Sequence, residues 1–169
     1  MEKRTGVITF AGNPMTLVGK EIKVGDVAPQ FTALKNDLTP FSLEELKGKV
    51  VLISVVPSVD TGICELQTIR FNQEANQLDN VAIITVSVDL PFAIGRFCGA
   101  KGIDKAITLS DHRDLSFGTN YGFVVEELRL LARGIVVIDT KGIVQHVEYV
   151  PEIASHPDYE KALAVAKNL

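Results

Sequence analysis

Hydrophobic and polar positions change period several times along the chain, and the changes mark the elements. Residues 6–10 (GVITF) and 15–19 (MTLVG) are β-prone runs separated by Ala-Gly-Asn-Pro, whose last three residues are turn chemistry. An N-terminal hairpin is expected. Residues 24–49 break into short extended pieces punctuated by Pro29 and by the stretch Asp37 to Pro40. Within them Ser42 and Glu45 have the spacing of a capping box, so a helical turn is expected at 42–46.

The middle of the chain alternates in type. Residues 49–56 (KVVLISVV) are a continuous, largely β-branched run, the pattern of a strand covered on both faces. Apolar positions Ile63, Leu66, Ile69, Ala75 and Leu78 then follow a helical period, with Asp60 or Thr61 as the N-cap. A second buried strand is expected at 81–89. A short helix should begin after Pro91 and stop between Gly99 and Gly102. Residues 106–111 read as a strand and 114–122 as a helical turn or loop. Residues 130–139 (LLARGIVVID) form a third buried run. A turn at 139–142 leads into a partner strand at 143–150, and 156–169 has helical spacing with Tyr159, Leu163 and Ala166 on one side.

Strands and helices alternate in the centre and a hairpin and helix close the end. The expected fold class is therefore α/β, a central mixed sheet flanked by helices in thioredoxin-like order, with an N-terminal hairpin. The length of 169 residues fits one domain spanning 1–169. No internal repeat or linker interrupts it.

Charge and composition narrow the function. The net charge of −4 lacks the basic excess expected of a nucleic-acid binder. No run approaches the ~18 apolar residues of a membrane span, and the N-terminus reads as strand and turn rather than signal peptide. A cytoplasmic location is expected. The three histidines, His112, His146 and His156, lack metal-ligand spacing, and no phosphate-binding or nucleophile-elbow motif is present. No metal site is expected from this pattern.

The chain has two cysteines, and in a reducing compartment such residues are more often redox-active than structural, against the competing role of inert buried thiols. Cys64 closes the octet 57–64 (PSVDTGIC), where a buried strand gives way to a helix. In the first turn of that helix, free backbone N–H groups and the helix dipole both favour a thiolate. Thr61, three residues earlier, is placed to hydrogen-bond the sulfur or a substrate oxygen. Pro57 shapes the loop without adding an N–H. Arg133, at the mouth of the strand at 134–139, is the candidate cation beside the thiolate. Arg70, Arg96 and Arg129 read as solvated. Cys98 lies in the next helix, so there is no Cys-x-x-Cys, and pairing with Cys64 requires one or both segments to unwind. Gly95, Gly99 and Gly102 weaken the Cys98 helix and ease that opening.

The octet fits the Pro-x-x-x-Thr-x-x-Cys pattern of the peroxiredoxin family in every fixed position. The chain resembles, end to end, the atypical two-cysteine branch of that family, the thiol peroxidases. GNPMTLVG, VGDVAPQF, DLPFAIGRFCGAKGI, SDHRDLSFGTNYG and LRLLARGIVVID match in order. Ile69, where the branch often has a basic residue, and Gly134, where alanine is common, depart from it. The resemblance implies a peroxidase that reduces hydrogen peroxide and organic hydroperoxides. It makes Cys64 the peroxidatic cysteine, with Pro57, Thr61 and Arg133 completing the pocket, and Cys98 the resolving cysteine of an intrasubunit Cys64–Cys98 disulfide. It further implies recycling by thioredoxin and a homodimer. Phe92, Phe97 and Tyr121 are candidates to line an apolar pocket for an organic hydroperoxide, with core packing as their competing role. Other readings of the same thiols are a redox sensor and a protein thiol–disulfide oxidoreductase, although the latter wants a Cys-x-x-Cys.

Overall fold

The computed structural model describes all residues, 1–169. A seven-stranded sheet forms its centre, in the order β11-β10-β5-β6-β7-β3-β4. Three strands at its middle are parallel: β5 (Val50–Val55), β6 (Val81–Ser87) and β7 (Ile107–Ser110). On one side β10 (Gly134–Ile138) runs antiparallel to β5 and pairs with β11 (Val144–Tyr149). On the other, β3 (Thr32–Leu34) and β4 (Pro40–Ser42) complete the edge. A smaller sheet holds the expected N-terminal hairpin, β1 (Lys3–Phe10) and β2 (Asn13–Val18), beside β8 (Val124–Val125) and β9 (Leu130–Leu131). The helices are α1 (Gly62–Ala75), α2 (Pro91–Lys101), α3 (Ser116–Tyr121) and α4 (Tyr159–Lys167).

β5 is apolar apart from Ser54 because both of its faces are covered. Val50 and Leu52 point to a cluster with Phe71 of α1, Ile135 and Val137 of β10, and Ala162, Leu163 and Ala166 of α4. Val51, Ile53 and Val55 point the other way, into a larger cluster that includes Phe31, Phe117, Tyr121, Phe123 and the hairpin residues Ile8 and Leu17. The hairpin thus covers a sheet face that would otherwise be bare. Three aromatic contacts hold that side together, with Phe31 edge-on to both Phe117 and Tyr121 and Phe117 stacked on Tyr121 at 4.6 Å.

Local signals set the ends of the elements. Ser42 and Glu45 form the full capping box of a 3-10 turn at Leu43–Leu46. Thr61 rather than Asp60 caps α1. Pro91 opens α2 and Gly102, at φ 68°, closes it. The expected run at 130–139 is two strands in different sheets, β9 and β10. Chain direction changes at Ala132 and Arg133, which lie between them and are both buried. Gly134 is a position of close approach. A Cβ there would collide with the Glu148 carbonyl oxygen and the Phe123 ring.

Candidate active site

Cys64 is completely buried at the start of α1, just beyond the end of β5. The intervening loop is tied down at its centre by Asp89, which follows β6. Its carboxylate accepts from the Ser58 hydroxyl at 2.7 Å, the Val59 N–H at 2.8 Å and the Ser87 hydroxyl at 2.8 Å. Pro57 is buried at the beginning of the loop, directly after the last strand-like bond, from Val56 N to Val86 O. Thr61 is exposed at the other end. Its hydroxyl donates to Ser58 O at 3.3 Å and accepts from Cys64 N at 3.4 Å, an ordinary N-cap bond that fixes the first turn around the sulfur.

Arg133 reaches Cys64 across the end of the sheet. It is only 2% exposed, so the cation expected at the mouth of a strand lies inside the protein. Each end of its guanidinium fork is engaged. Nε donates to Ile153 O at 2.7 Å, Nη1 to Gln67 Oε1 at 3.0 Å and Nη2 to Cys64 Sγ at 3.1 Å. A planar fork with fixed donor directions suits this three-way attachment. Burial of an arginine without a carboxylate partner is expensive, and the Cys64 sulfur is one of the three atoms that receive it. The guanidinium and the N-terminus of α1 meet at that sulfur.

Gln67 and Ser54 were not singled out from sequence. Gln67 Nε2 donates to Ser54 Oγ at 2.8 Å and to Val55 O at 3.4 Å, while its carbonyl holds Arg133. The available signal was Ser54 itself, the one polar residue between Val50 and Val56. It lies on the β5 face that carries Val50 and Leu52, toward α1, and so asks for a polar partner from that helix. Gln67 lies one turn after Cys64 and is equally buried. Farther out, Tyr159 packs edge-on to Phe71 at 5.5 Å and bonds His156 Nδ1 at 2.8 Å. Burial pushes its hydroxyl up, while Arg133 and Arg70 pull it down. Arg70, read from sequence as solvated, pairs with Glu160 at 2.5 Å and with Glu74 at 3.5 Å.

Cys98 is 8% exposed in α2, packed with Val59, Ile94, Phe97 and Ile103. Both cysteines are free thiols and α2 is intact. Each end of α2 is anchored. Asp89 lies immediately before it. Beyond it, Asn72 of α1 accepts from Lys105 N at 2.9 Å and Ala106 N at 3.0 Å and donates to Gly102 O at 3.4 Å. A Lys101–Glu65 ion pair at 2.9 Å links the end of α2 to the residue after Cys64.

The structure does not assemble Phe92, Phe97 and Tyr121 into one pocket. Phe97 packs beside Cys98, Tyr121 is buried in the other large cluster and Phe92 is 67% exposed. Nor do the histidines meet. His112 follows β7 in a loop, His146 is buried on β11 and His156 bonds Tyr159. No three His, Cys, Asp or Glu side chains converge as metal ligands, and no helix is long and apolar enough to cross a membrane.

Comparison with known proteins agrees with this geometry. The Redoxin family profile matches residues 23–163. A thiol peroxidase of Halalkalibacterium halodurans is 62% identical over 95% of this chain and 96% of its own length. One of Bacillus subtilis is 58% identical over 96% and 97%. Among solved structures, a peroxiredoxin-like protein from Aquifex aeolicus superposes with a TM-score of 0.90 at 38% identity, covering 98% of both chains. A thiol peroxidase from Chromobacterium violaceum shares the fold, with a TM-score of 0.84 at 19% identity over 95% of each chain. A buried cysteine at a helix start, an arginine on its sulfur and relatives of this kind over nearly the whole length lead to one assignment: the chain belongs to the thiol peroxidase family, within the redoxins.

Proposed function

We propose that this thiol-dependent peroxidase works through Cys64 as the peroxidatic residue and Cys98 as the resolving one. The observation that carries the reading is the 3.1 Å contact of Arg133 Nη2 with Cys64 Sγ at the N-terminus of α1. In the reaction, the Cys64 thiolate attacks one oxygen of a hydroperoxide and the O–O bond breaks. The departing oxygen leaves as water or alcohol after taking up a proton, and the sulfur becomes a sulfenic acid. Arg133 is a donor for the negative charge that develops along the breaking bond, held in place beforehand by Gln67 and Ile153. The Thr61 hydroxyl turns from Ser58 O to orient the substrate, and Pro57 shields the inner side of the loop.

The Cys98 thiol then displaces hydroxide from the Cys64 sulfenic acid, forming the Cys64–Cys98 disulfide and water. With both thiols buried on separate helices, this step requires α2 to unwind between its anchors at Asp89 and Asn72. The glycines at 95, 99 and 102 lower the barrier to unwinding. A thioredoxin-type dithiol reduces the disulfide and restores the resting state. The substrate is hydrogen peroxide or an organic hydroperoxide, and no metal or prosthetic group takes part. The same reading makes residues 1–169 one folding unit, active as a homodimer in the cytoplasm.

The test is a peroxidase assay coupled to thioredoxin and its reductase. Cys64→Ser is expected to abolish hydroperoxide consumption. Cys98→Ser is expected to reduce one equivalent and then stop. Sustained thioredoxin-linked turnover by Cys98→Ser would remove Cys98 from the resolving role.

A further inference from the structure

Cys98 is not merely packed in an apolar cluster. Its Sγ lies 3.5 Å from Thr108 Oγ1 on β7, and the Thr108 hydroxyl bonds Asn36 Oδ1 at 3.3 Å. Asn36 follows β3, so the chain of contacts runs from α2 across two strands of the sheet. Cys98 otherwise belongs to an apolar cluster with Val59, Ile94, Phe97 and Ile103. Thr108 is itself buried, at 8% exposure.

The direction of donation follows from the inventory of groups. Asn36 Oδ1 has no proton to give, so the Thr108 hydroxyl donates to it. A lone pair of the Thr108 oxygen is then left facing the sulfur, where it accepts the Cys98 S–H. That arrangement holds the side chain inward.

We propose that Thr108, oriented by Asn36, is a positioning residue that latches the Cys98 side chain in its inward position and so governs how fast the second half of the reaction occurs. The inference rests on Cys98 being the resolving thiol. Its consequence is a division of labour. With Cys98 held inward and buried, Cys64 is the thiol that meets hydroperoxide first. Once Cys64 is a sulfenic acid, release of the latch lets α2 open. An S–S bond then forms, the S–O bond of the sulfenic acid breaks, and the Cys98 proton leaves with the hydroxide as water. The time Cys64 spends as sulfenic acid, and hence its exposure to further oxidation by peroxide, is set partly by the latch.

Thr108→Val removes the hydroxyl and keeps the branched shape, and Thr108→Ser keeps the hydroxyl. In a Cys64→Ser background, the rate at which Cys98 reacts with iodoacetamide as a function of pH reports the latch without any peroxide chemistry. Loss of one modest hydrogen bond is expected to raise that rate by about 3- to 10-fold in Thr108→Val at each pH. Thr108→Ser should stay near the parent. With Cys64 present, stopped-flow measurement after one equivalent of hydrogen peroxide should show disulfide formation accelerated by a similar factor in Thr108→Val. Less Cys64 sulfinic acid should form at excess peroxide. Unchanged or slower Cys98 alkylation in a folded Thr108→Val protein overturns the latch. Failure of the parent protein to form any Cys64–Cys98 disulfide is a separate result, and it overturns the resolving role on which the latch depends.

Discussion

Arg133 and Cys64 are 69 residues apart in sequence and 3.1 Å apart in space, both almost wholly withdrawn from water. The arginine has no carboxylate in contact. Its three engaged nitrogens meet a backbone carbonyl, an amide oxygen and the sulfur. The fold thus keeps one buried positive charge in direct contact with the Cys64 sulfur.

Removing that charge is expected to remove most of the activity. Arg133→Ala should lower peroxide reduction by about 10²- to 10³-fold, the range for loss of one well-placed donor to developing charge. Arg133→Lys should recover little, because an ammonium group cannot satisfy Ile153 O, Gln67 and the sulfur together. Single-turnover kinetics with hydrogen peroxide, together with iodoacetamide labelling of Cys64 at pH 7, separates loss of reactivity from loss of fold.

Gln67 provides a finer test of the same charge. Gln67→Glu keeps the shape and still allows the Ser54 hydroxyl a partner, but supplies the guanidinium with a competing carboxylate. Peroxide reduction should fall by about tenfold, equivalent to about 1.4 kcal/mol of transition-state stabilisation. Thermal stability should fall as well, because a carboxylate oxygen cannot donate to Val55 O. A variant as active as the parent would show that Gln67 only fills space.

Asp89 tests the loop. Its carboxylate takes three hydrogen bonds, two of them from residues of the cysteine-bearing loop. Asp89→Ala should destabilise the protein by about 2–3 kcal/mol, since charge-assisted bonds are lost and their donors are left in partly buried positions. Denaturant titration measures this, and slower single-turnover oxidation of Cys64 should accompany it.

The pH dependence of stability contains a term from Asp111. Burial pushes its carboxyl from 3.8 up to about 6, against the pull of bonds from the Phe117 and Gly118 N–H groups. Because the folded-state value is raised, the native state binds more protons than the unfolded chain between pH 3.8 and about 6. The favourable contribution is fully present below 3.8 and is lost as pH rises through about 6. The interval is worth on the order of 3 kcal/mol. Urea titrations across that interval should show this loss in the parent and its absence in Asp111→Asn. An identical pH dependence in both proteins would assign the term to other groups.

These residues also show what the sequence made legible. The octet at 57–64 placed Cys64 in the first turn of α1 after a strand-ending loop, and narrowed the N-cap to Asp60 or Thr61, because these features depend on contacts within one turn. Continuous apolar runs located β5 and β6 because strands covered on both faces need no alternation. The split of 130–139 into two sheets was not legible, since Leu130–Leu131 and Gly134–Ile138 are equally apolar and only tertiary pairing separates them. Gln67 and Asp89 were missed for a related reason. Each is an ordinary polar residue until the fold sets it against Arg133 or Ser58. Phe92, Phe97 and Tyr121 were grouped by residue type, whereas the sheet places them in different environments.

The most direct test of the central claim is single-turnover oxidation. Reduced protein is mixed with one equivalent of hydroperoxide, quenched with an alkylating agent, and its cysteines are mapped by mass spectrometry without reduction. The account predicts rapid formation of an intrachain disulfide between Cys64 and Cys98, preceded by a sulfenic acid on Cys64 alone. Two thiols that remain free, or oxidation that begins at Cys98, would contradict it.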